Sequence, residues 1–363
     1  MYIEWAGEVL TNIGYGTFAR KVIKALMDNG VKVKLLPIEH YTPETQKLND
    51  PFWIMKLAES QQMAPAPIRV NCCIPPVAQF GPNKNIGYFM WETDNIPRAW
   101  APIIRRFNQV WTGSKFSSTI ASLHNANVVT VYPPVVDKPV APIELEGISN
   151  DTIVFGYVGL WIPRKNMEDL FTAFIAAFEG IKNVALVIKT WGGDNSAGFK
   201  QTVASRVKDN INSHAGLVDR PKILLINDIL PEQQIANIIS RINIYVSPSH
   251  GEGFDLPLTE AMSQGKIIVA NKFAAHSDYL TNENSLLYDY SLEPIAGAMI
   301  PGYEAYQNWA RPSLDSMIEK MRDAYNLVIN KSNPLGEAAK NTCKKLFSVE
   351  ETVKTIKEAI LKV

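Results

Sequence analysis

Glu252 and Glu260 have seven residues between them, within the stretch Ser247–Leu280 that reads SPSHGEGFDLPLTEAMSQGKIIVANKFAAHSDYL. Gly251, Gly253 and Pro257 mark the turn around them. The apolar run Ile242–Val246 before it reads as a buried strand. Leu256–Gln264 after it reads as a helix that Gly265 stops. Backbone N–H groups at a helix start have no partner inside the helix and suit a phosphate. Glycine lets a ligand approach the chain with no Cβ in the way. A carboxylate beside that position accepts hydrogen bonds from ribose or sugar hydroxyls. Such a turn suits a ligand that is both phosphorylated and rich in hydroxyls. A plain strand–turn–helix connection with two exposed glutamates is the alternative.

A second candidate group is Gly159-Leu160-Trp161-Ile162-Pro163-Arg164-Lys165-Asn166, at an expected strand-to-helix turn. Cations at a helix start oppose its dipole, so an anion is expected to offset them. A solvated basic turn would need no ligand.

GEGFDLPLTEAM, with its Glu252-x7-Glu260 spacing, resembles the signature of the retaining glycosyltransferases of the large family 4 group. That resemblance implies the α/β GT-B fold, two Rossmann-like doubly wound domains facing across a cleft. It implies that Glu252 lies beside the donor sugar and Glu260 binds the nucleotide ribose. The backbone of Gly253, Phe254, Asp255 and Leu256 would cradle sugar and phosphates. The family more often has glycine where Asp255 stands. An aspartate there could cap the helix or touch a sugar hydroxyl. The family also places an Arg just after the glycine of the first turn and a Lys just before its helix, both on the diphosphate. Lys165 matches that Lys, Leu160 occupies the Arg position, and Arg164 is inferred to supply the missing charge. Gly14-Tyr15-Gly16 resembles the family's flexible glycine loop near donor phosphate and acceptor, although a plain tight turn has the same pattern. Many relatives carry a histidine where this chain has Trp91-Glu92-Thr93-Asp94-Asn95. Here Glu92 or Asp94 could orient an acceptor hydroxyl and Trp91 could stack on a sugar face. A polar loop closed by Pro97 is the other reading. His250 and His276 read as satisfied structural histidines, and Asp278 stands where relatives often have an acidic residue.

No His, Cys or Asp cluster has metal-ligand spacing, and no Asp-x-Asp or Gly-x-Ser-x-Gly motif occurs in the expected context. The expected chemistry is charge stabilisation without metal or cofactor, the nucleotide-sugar (UDP- or GDP-linked) being the substrate. Glu252, Arg164 and Lys165 are the catalytic candidates. The acceptor would attack from the face the diphosphate leaves, so no carboxylate nucleophile is required, unlike in glycosidases.

These residues need a scaffold. The 363 residues suggest two domains. Apolar strands Thr152–Gly159, Val184–Thr190, Ile223–Asn227, Ile244–Ser247 and Lys266–Ala270 alternate with helical patterns such as Met167–Phe178. That alternation argues for a parallel sheet covered on both faces, with ligands beyond the strands' carboxyl ends. Asn166 with Asp169 reads as the start box of the helix Met167–Phe178. The first half repeats the alternation. Its strands are Tyr2–Trp5, Val31–Leu36, Asn85–Trp91, Gln109–Thr112 and Val128–Tyr132, with helices over Thr17–Met27 and Lys115–His124, the latter capped by Ser114. Pro139, Pro142 and Gly147 make Asp137–Asn150 the linker candidate. The expected division is 1–140, acceptor domain; 150–340, donor domain; and 341–363, a helix crossing back to the first domain.

Composition narrows the class. Lys and Arg number 36, as do Asp and Glu, so no global field draws the chain to polyanions, which leaves nucleic acid as an acceptor substrate at most. No apolar run reaches the ~18 residues of a membrane span, and the start lacks signal-peptide features. Cys72 and Cys73 adjoin and Cys343 is remote, a pattern of neither disulfides nor metal that suggests a reducing, cytoplasmic setting. Three classes remain open: sugar transfer to a glycan, lipid, small molecule or hydroxymethylated DNA base; a sugar-nucleotide epimerase or phosphorylase; and a non-catalytic sugar-nucleotide binder.

Overall fold

The structure, a computed structural model, describes residues 1–11, 14–38, 51–136, 140–141, 143–191, 197–213, 219–295 and 302–363. Asn12 and Ile13 before the glycine pair, and Pro139 and Pro142 of the expected linker, lie outside the described residues.

Two compact units divide the chain. One comprises Met1–Val136, Pro294–Asn308 and Leu346–Val363; the other comprises Asp137–Glu293 and Trp309–Lys345. The second unit thus starts where the proline-rich stretch was expected to link domains. The described residues 294–295 and 302–308 were expected in the second domain and belong to the first unit instead.

The first unit holds strands β1 (Tyr2–Gly7), β2 (Lys32–Pro37), β3 (Ile68–Cys72), β4 (Lys84–Phe89), β5 (Gln109–Thr112) and β6 (Val128–Thr130). All are parallel, in the order β2-β1-β3-β4-β5-β6. β3 is not a continuous apolar run: Ile68, Val70 and Cys72 alternate with Arg69 and Asn71, the period-2 pattern of a strand with two different faces. Arg69 pairs with the buried Glu4 of β1 at 2.8 Å, and Asn71 Oδ1 accepts from Gln79 N. Tyr88 centres the aromatic core, edge-on to Trp5, Phe18 and Trp111. Ser114 caps the helix Lys115–Ser122 by accepting from Ser117 N, as the sequence implies. The final helix, Val349–Ile360, belongs to this unit and packs on the helix Gly14–Asp28.

The second unit holds β7 (Ile153–Leu160), β8 (Val184–Trp191), β9 (Lys222–Ile226), β10 (Ile244–Ser247), β11 (Ile267–Ala270) and β12 (Leu286–Leu287). Read from its far edge the order is β9-β8-β7-β10-β11-β12, again all parallel. Strand order reverses between β7 and β10, and ligands of such sheets bind in the crevice at that point. Leu170, Phe171, Phe174, Ile175 and Phe178 of the helix Met167–Phe178 are all buried. Phe174 and Phe178 close on Phe155 of β7 at 5.5 and 4.8 Å between ring centroids. Met317 and Met321 of the helix Leu314–Ile329 complete this core. No helix among the described residues is long and apolar enough to cross a membrane.

Candidate active site

The two turns singled out by sequence follow β7 and β10, one on each side of the reversal point. They are stitched together by short contacts. His250 N donates to the Arg164 carbonyl at 2.9 Å, and Ser249 Oγ donates to the same oxygen at 3.2 Å. Asn166 Nδ2 reaches the Pro248 carbonyl at 3.3 Å.

Three charged side chains meet there. Lys165 Nζ lies 2.6 Å from Glu252 Oε1, and Arg164 Nη1 lies 3.1 Å from Glu252 Oε2 while also donating to the Gly251 carbonyl. Glu252 is 4% exposed. Burial by itself pushes its carboxyl up, but the two cations, with hydrogen bonds from Lys165 and Ser249, outweigh burial and hold it down at about 2. The cluster therefore carries two positive charges and one negative, an arrangement suited to a further anion.

Asp255 occupies a left-handed backbone conformation, φ 68° and ψ 69°, as the N-cap of the helix Leu256–Ser263. Glycine adopts that conformation without steric cost and aspartate tolerates it. Its side chain settles the question the sequence left open: Oδ1 accepts from Leu258 N, and Oδ2 accepts from Ser247 Oγ at 2.9 Å. His276 Nε2 lies 3.0 Å from the same oxygen, and its Nδ1 lies 3.1 Å from the Asn271 carbonyl. Asp255 and His276 thus lock the turn. Asp255→Ala should cost about 2 kcal/mol, combining a lost cap with left-handed strain. Asp255→Gly should cost less, because the strain is relieved; chemical denaturation of the two variants checks the order.

His250 is likewise structural in its contacts, stacked on Trp309 at 4.5 Å, with Nδ1 2.7 Å from the Ala310 carbonyl. Burial lowers its pKa. Phe254 is buried and its carbonyl accepts from Tyr279 Oη. Gly253 is buried, while Leu256 and Glu260, at the first and second turns of the helix, are half-buried. Asn166 departs from the expected start box. Its backbone is left-handed, at φ 50°, and its side chain caps no amide but donates to Asp169 Oδ2 at 2.9 Å.

In the first unit Gly14-Tyr15-Gly16 opens the helix Gly14–Asp28 instead of forming a loop before it. Gly16 is required by close approach, since a Cβ there would fall 2.3 Å from the Thr11 carbonyl oxygen. Buried Arg20 fixes the chain ahead of it by donating to the carbonyls of Val9 and Thr11. Tyr15 Oη accepts from Met90 N at 3.0 Å.

The loop Trp91–Asn95 is covered by residues 303–308, which sequence reasoning did not connect with it. Tyr303 stacks on Trp91 at 5.4 Å and donates its hydroxyl to Glu92 Oε1. Asn308 donates through N and Nδ2 to Asp94 Oδ1 and Oδ2, both at 2.7 Å. Gln307 Nε2 holds the Asn95 carbonyl at 2.6 Å. Trp91 is 4% exposed, so its ring is core and does not present a face to a sugar. The clasp spans more than two hundred positions of sequence, and no local signal announces it.

Residues 152–301 match the model of the family Glycosyl transferases group 1. No curated protein matches the sequence. Among solved structures, sucrose-phosphate synthase from Thermosynechococcus elongatus has a TM-score of 0.68 at 15% identity, covering 100% of this chain and 98% of that one. HepE of Anabaena, solved in complex with UDP and glucose, has a TM-score of 0.63 at 14% identity, covering 100% of both chains. For a mutant of S. aureus TarM the TM-score is 0.58 at 13% identity over 80% of this chain, which spans 55% of the TarM chain. The fold is therefore the two-domain Rossmann-like fold of these enzymes. The matched segment carries both turns of the site.

Proposed function

We propose that the protein is a retaining glycosyltransferase that moves a sugar from a nucleotide-sugar to a hydroxyl acceptor without a catalytic metal. The observation that carries this reading is the Arg164–Lys165–Glu252 cluster at the reversal point of the second sheet. A diphosphate placed against Arg164 and Lys165 competes with Glu252 for the same donors. Glu252, partly released, is then the carboxylate nearest the sugar hydroxyls. As the glycosidic bond breaks, negative charge grows on the leaving diphosphate, where the cations and the amides at the start of the helix Leu256–Ser263 receive it. Glu260, on that helix, takes the ribose hydroxyls. In the first unit the acceptor role falls to Glu92 or Asp94, the carboxylates that accept from Tyr303 and Asn308.

UDP in the HepE complex supports a uridine-type donor by likeness of fold. The test is calorimetry with bare nucleoside diphosphates on the parent chain and Glu260→Ala. The variant loses a charged acceptor for two hydroxyls, worth about 1.5–3 kcal/mol, and affinity should fall by roughly 10- to 100-fold. Unchanged affinity in a folded Glu260→Ala would remove the ribose assignment.

A further inference from the structure

Lys189, in the second sheet, has no task in the chemistry above. It lies near the carboxyl end of β8, opposite Val158 of β7 and Ile226 of β9. The strand around it is apolar, and Lys189 is 3% exposed. Among the described residues no hydrogen bond reaches its ammonium group. A buried charge in that condition is costly unless something pairs with it. Burial pushes its pKa down to about 8, and Asp228 is the charge that pulls it back up. The side chain is therefore mostly protonated at pH 7. Asp228 is exposed, two positions past the end of β9.

Strands of a sheet lie about 4.8 Å apart. The ends of β8 and β9 are therefore roughly 5–10 Å from the end of β7, where Arg164 and Lys165 meet Glu252. A nucleotide whose diphosphate sits on that pair and whose ribose turns outward along the strand ends would bring its base toward β8 and β9. Chemistry then fixes which base fits. An ammonium group only donates and a carboxylate only accepts. Uracil presents a keto oxygen beside a ring N–H, and guanine a keto oxygen beside a ring N–H and an amino group. Cytosine and adenine present the reverse, an amino donor beside an unprotonated ring nitrogen.

Building on the donor reading above, we propose that Lys189 and Asp228 read the edge of the donor's base and select a keto base, uracil or guanine. Lys189 donates to the keto oxygen and Asp228 accepts from the adjacent ring N–H. Lys189 is on this account a specificity residue and takes no part in bond breaking.

Calorimetry with UDP, GDP, ADP and CDP on the parent chain, Lys189→Met and Asp228→Ala tests this. The parent should bind UDP or GDP at least about tenfold more tightly than ADP and CDP, the scale of one charged hydrogen bond. Lys189→Met, which keeps an apolar chain of similar length in the strand, should lose that preference, with ADP and CDP affinities within about threefold of the parent's. Asp228→Ala, at an exposed position, should do the same, and it carries the test alone if the core variant fails to fold. A parent that favours ADP or CDP, or variants that weaken all four ligands equally, would overturn the base assignment and leave the donor reading standing. A parent that binds none of the four would overturn the donor reading, and this inference with it.

Discussion

Lys165→Ala should slow sugar transfer by about 100- to 1,000-fold, the usual cost of removing one group aimed at charge that develops in the transition state. The loss should appear in kcat as well as KM, because the ammonium meets charge that grows as the diphosphate departs. Arg164→Ala has a second consequence. Arg164 Nη1 also holds the Gly251 carbonyl, so the variant frees the turn between β10 and its helix as well as removing a cation. Arg164→Lys separates these roles by restoring charge without the guanidinium fork. Loss of both cations should abolish turnover. It also leaves Glu252 buried without a counter-charge, so thermal unfolding must accompany the kinetics. Full activity in a folded Arg164→Ala would show that the cation missing at Leu160 is not replaced from position 164.

Glu252→Gln should destabilise the second unit by about 3 kcal/mol at pH 7, a figure that follows from a carboxyl held near 2 against an ordinary 4.5. The substitution leaves two neighbouring cations with no anion between them. The sign of the pH dependence is fixed. The carboxyl's folded value is depressed, so its stabilisation is fully present above about pH 4.5 and fades as pH falls toward 2. The gap between parent and variant should narrow over that range. Inorganic pyrophosphate should restore part of the loss at neutral pH, since an anion in the cluster replaces the missing charge. Denaturation at several pH values, with and without pyrophosphate, measures both effects. A gap that stays constant from pH 7 to 3 would mean that Glu252 owes its position to shape and not to charge.

Much of the second unit was legible in the sequence. β7, β10 and β11 are continuous apolar runs and the helix Met167–Phe178 carries one buried face, so period and burial agree there. The turns after β7 and β10 could be paired because parallel strands place both at one sheet edge. Contacts between residues far apart in sequence were not legible. Nothing at Asp255 announces that His276 and Ser247 hold it, although its left-handed backbone explains why glycine suits that position. Lys189 did leave a trace, a lone cation inside the run Val184–Thr190, where a buried strand tolerates none without a reason. The first unit read more loosely because its strands mix polar residues into buried positions: Glu4, Asn71 and Gln109 are each at most 1% exposed. The resemblance to the family's glycine loop sets Gly14 and Gly16 before the helix, and glycine is a poor helix former, yet the helix begins at Gly14. The close approach to Thr11 is what outweighs that preference.

The first unit is assembled from three stretches of chain, and the last of them begins at Leu346. Val135 N donates to the Phe347 carbonyl at 2.8 Å, Thr352 Oγ1 donates to the Tyr132 carbonyl at 2.9 Å, and the helix Val349–Ile360 covers the helix Gly14–Asp28. On the ribosome, then, the first sheet is made first but cannot finish packing until the C-terminal residues have emerged. The second unit, nearly contiguous from Asp137 to Lys345, is positioned to fold before it. Synthesis runs at about 5–20 residues per second, so the apolar face of the helix Gly14–Asp28 waits tens of seconds for its cover. A chain stalled or cleaved before Leu346 would leave that face uncovered.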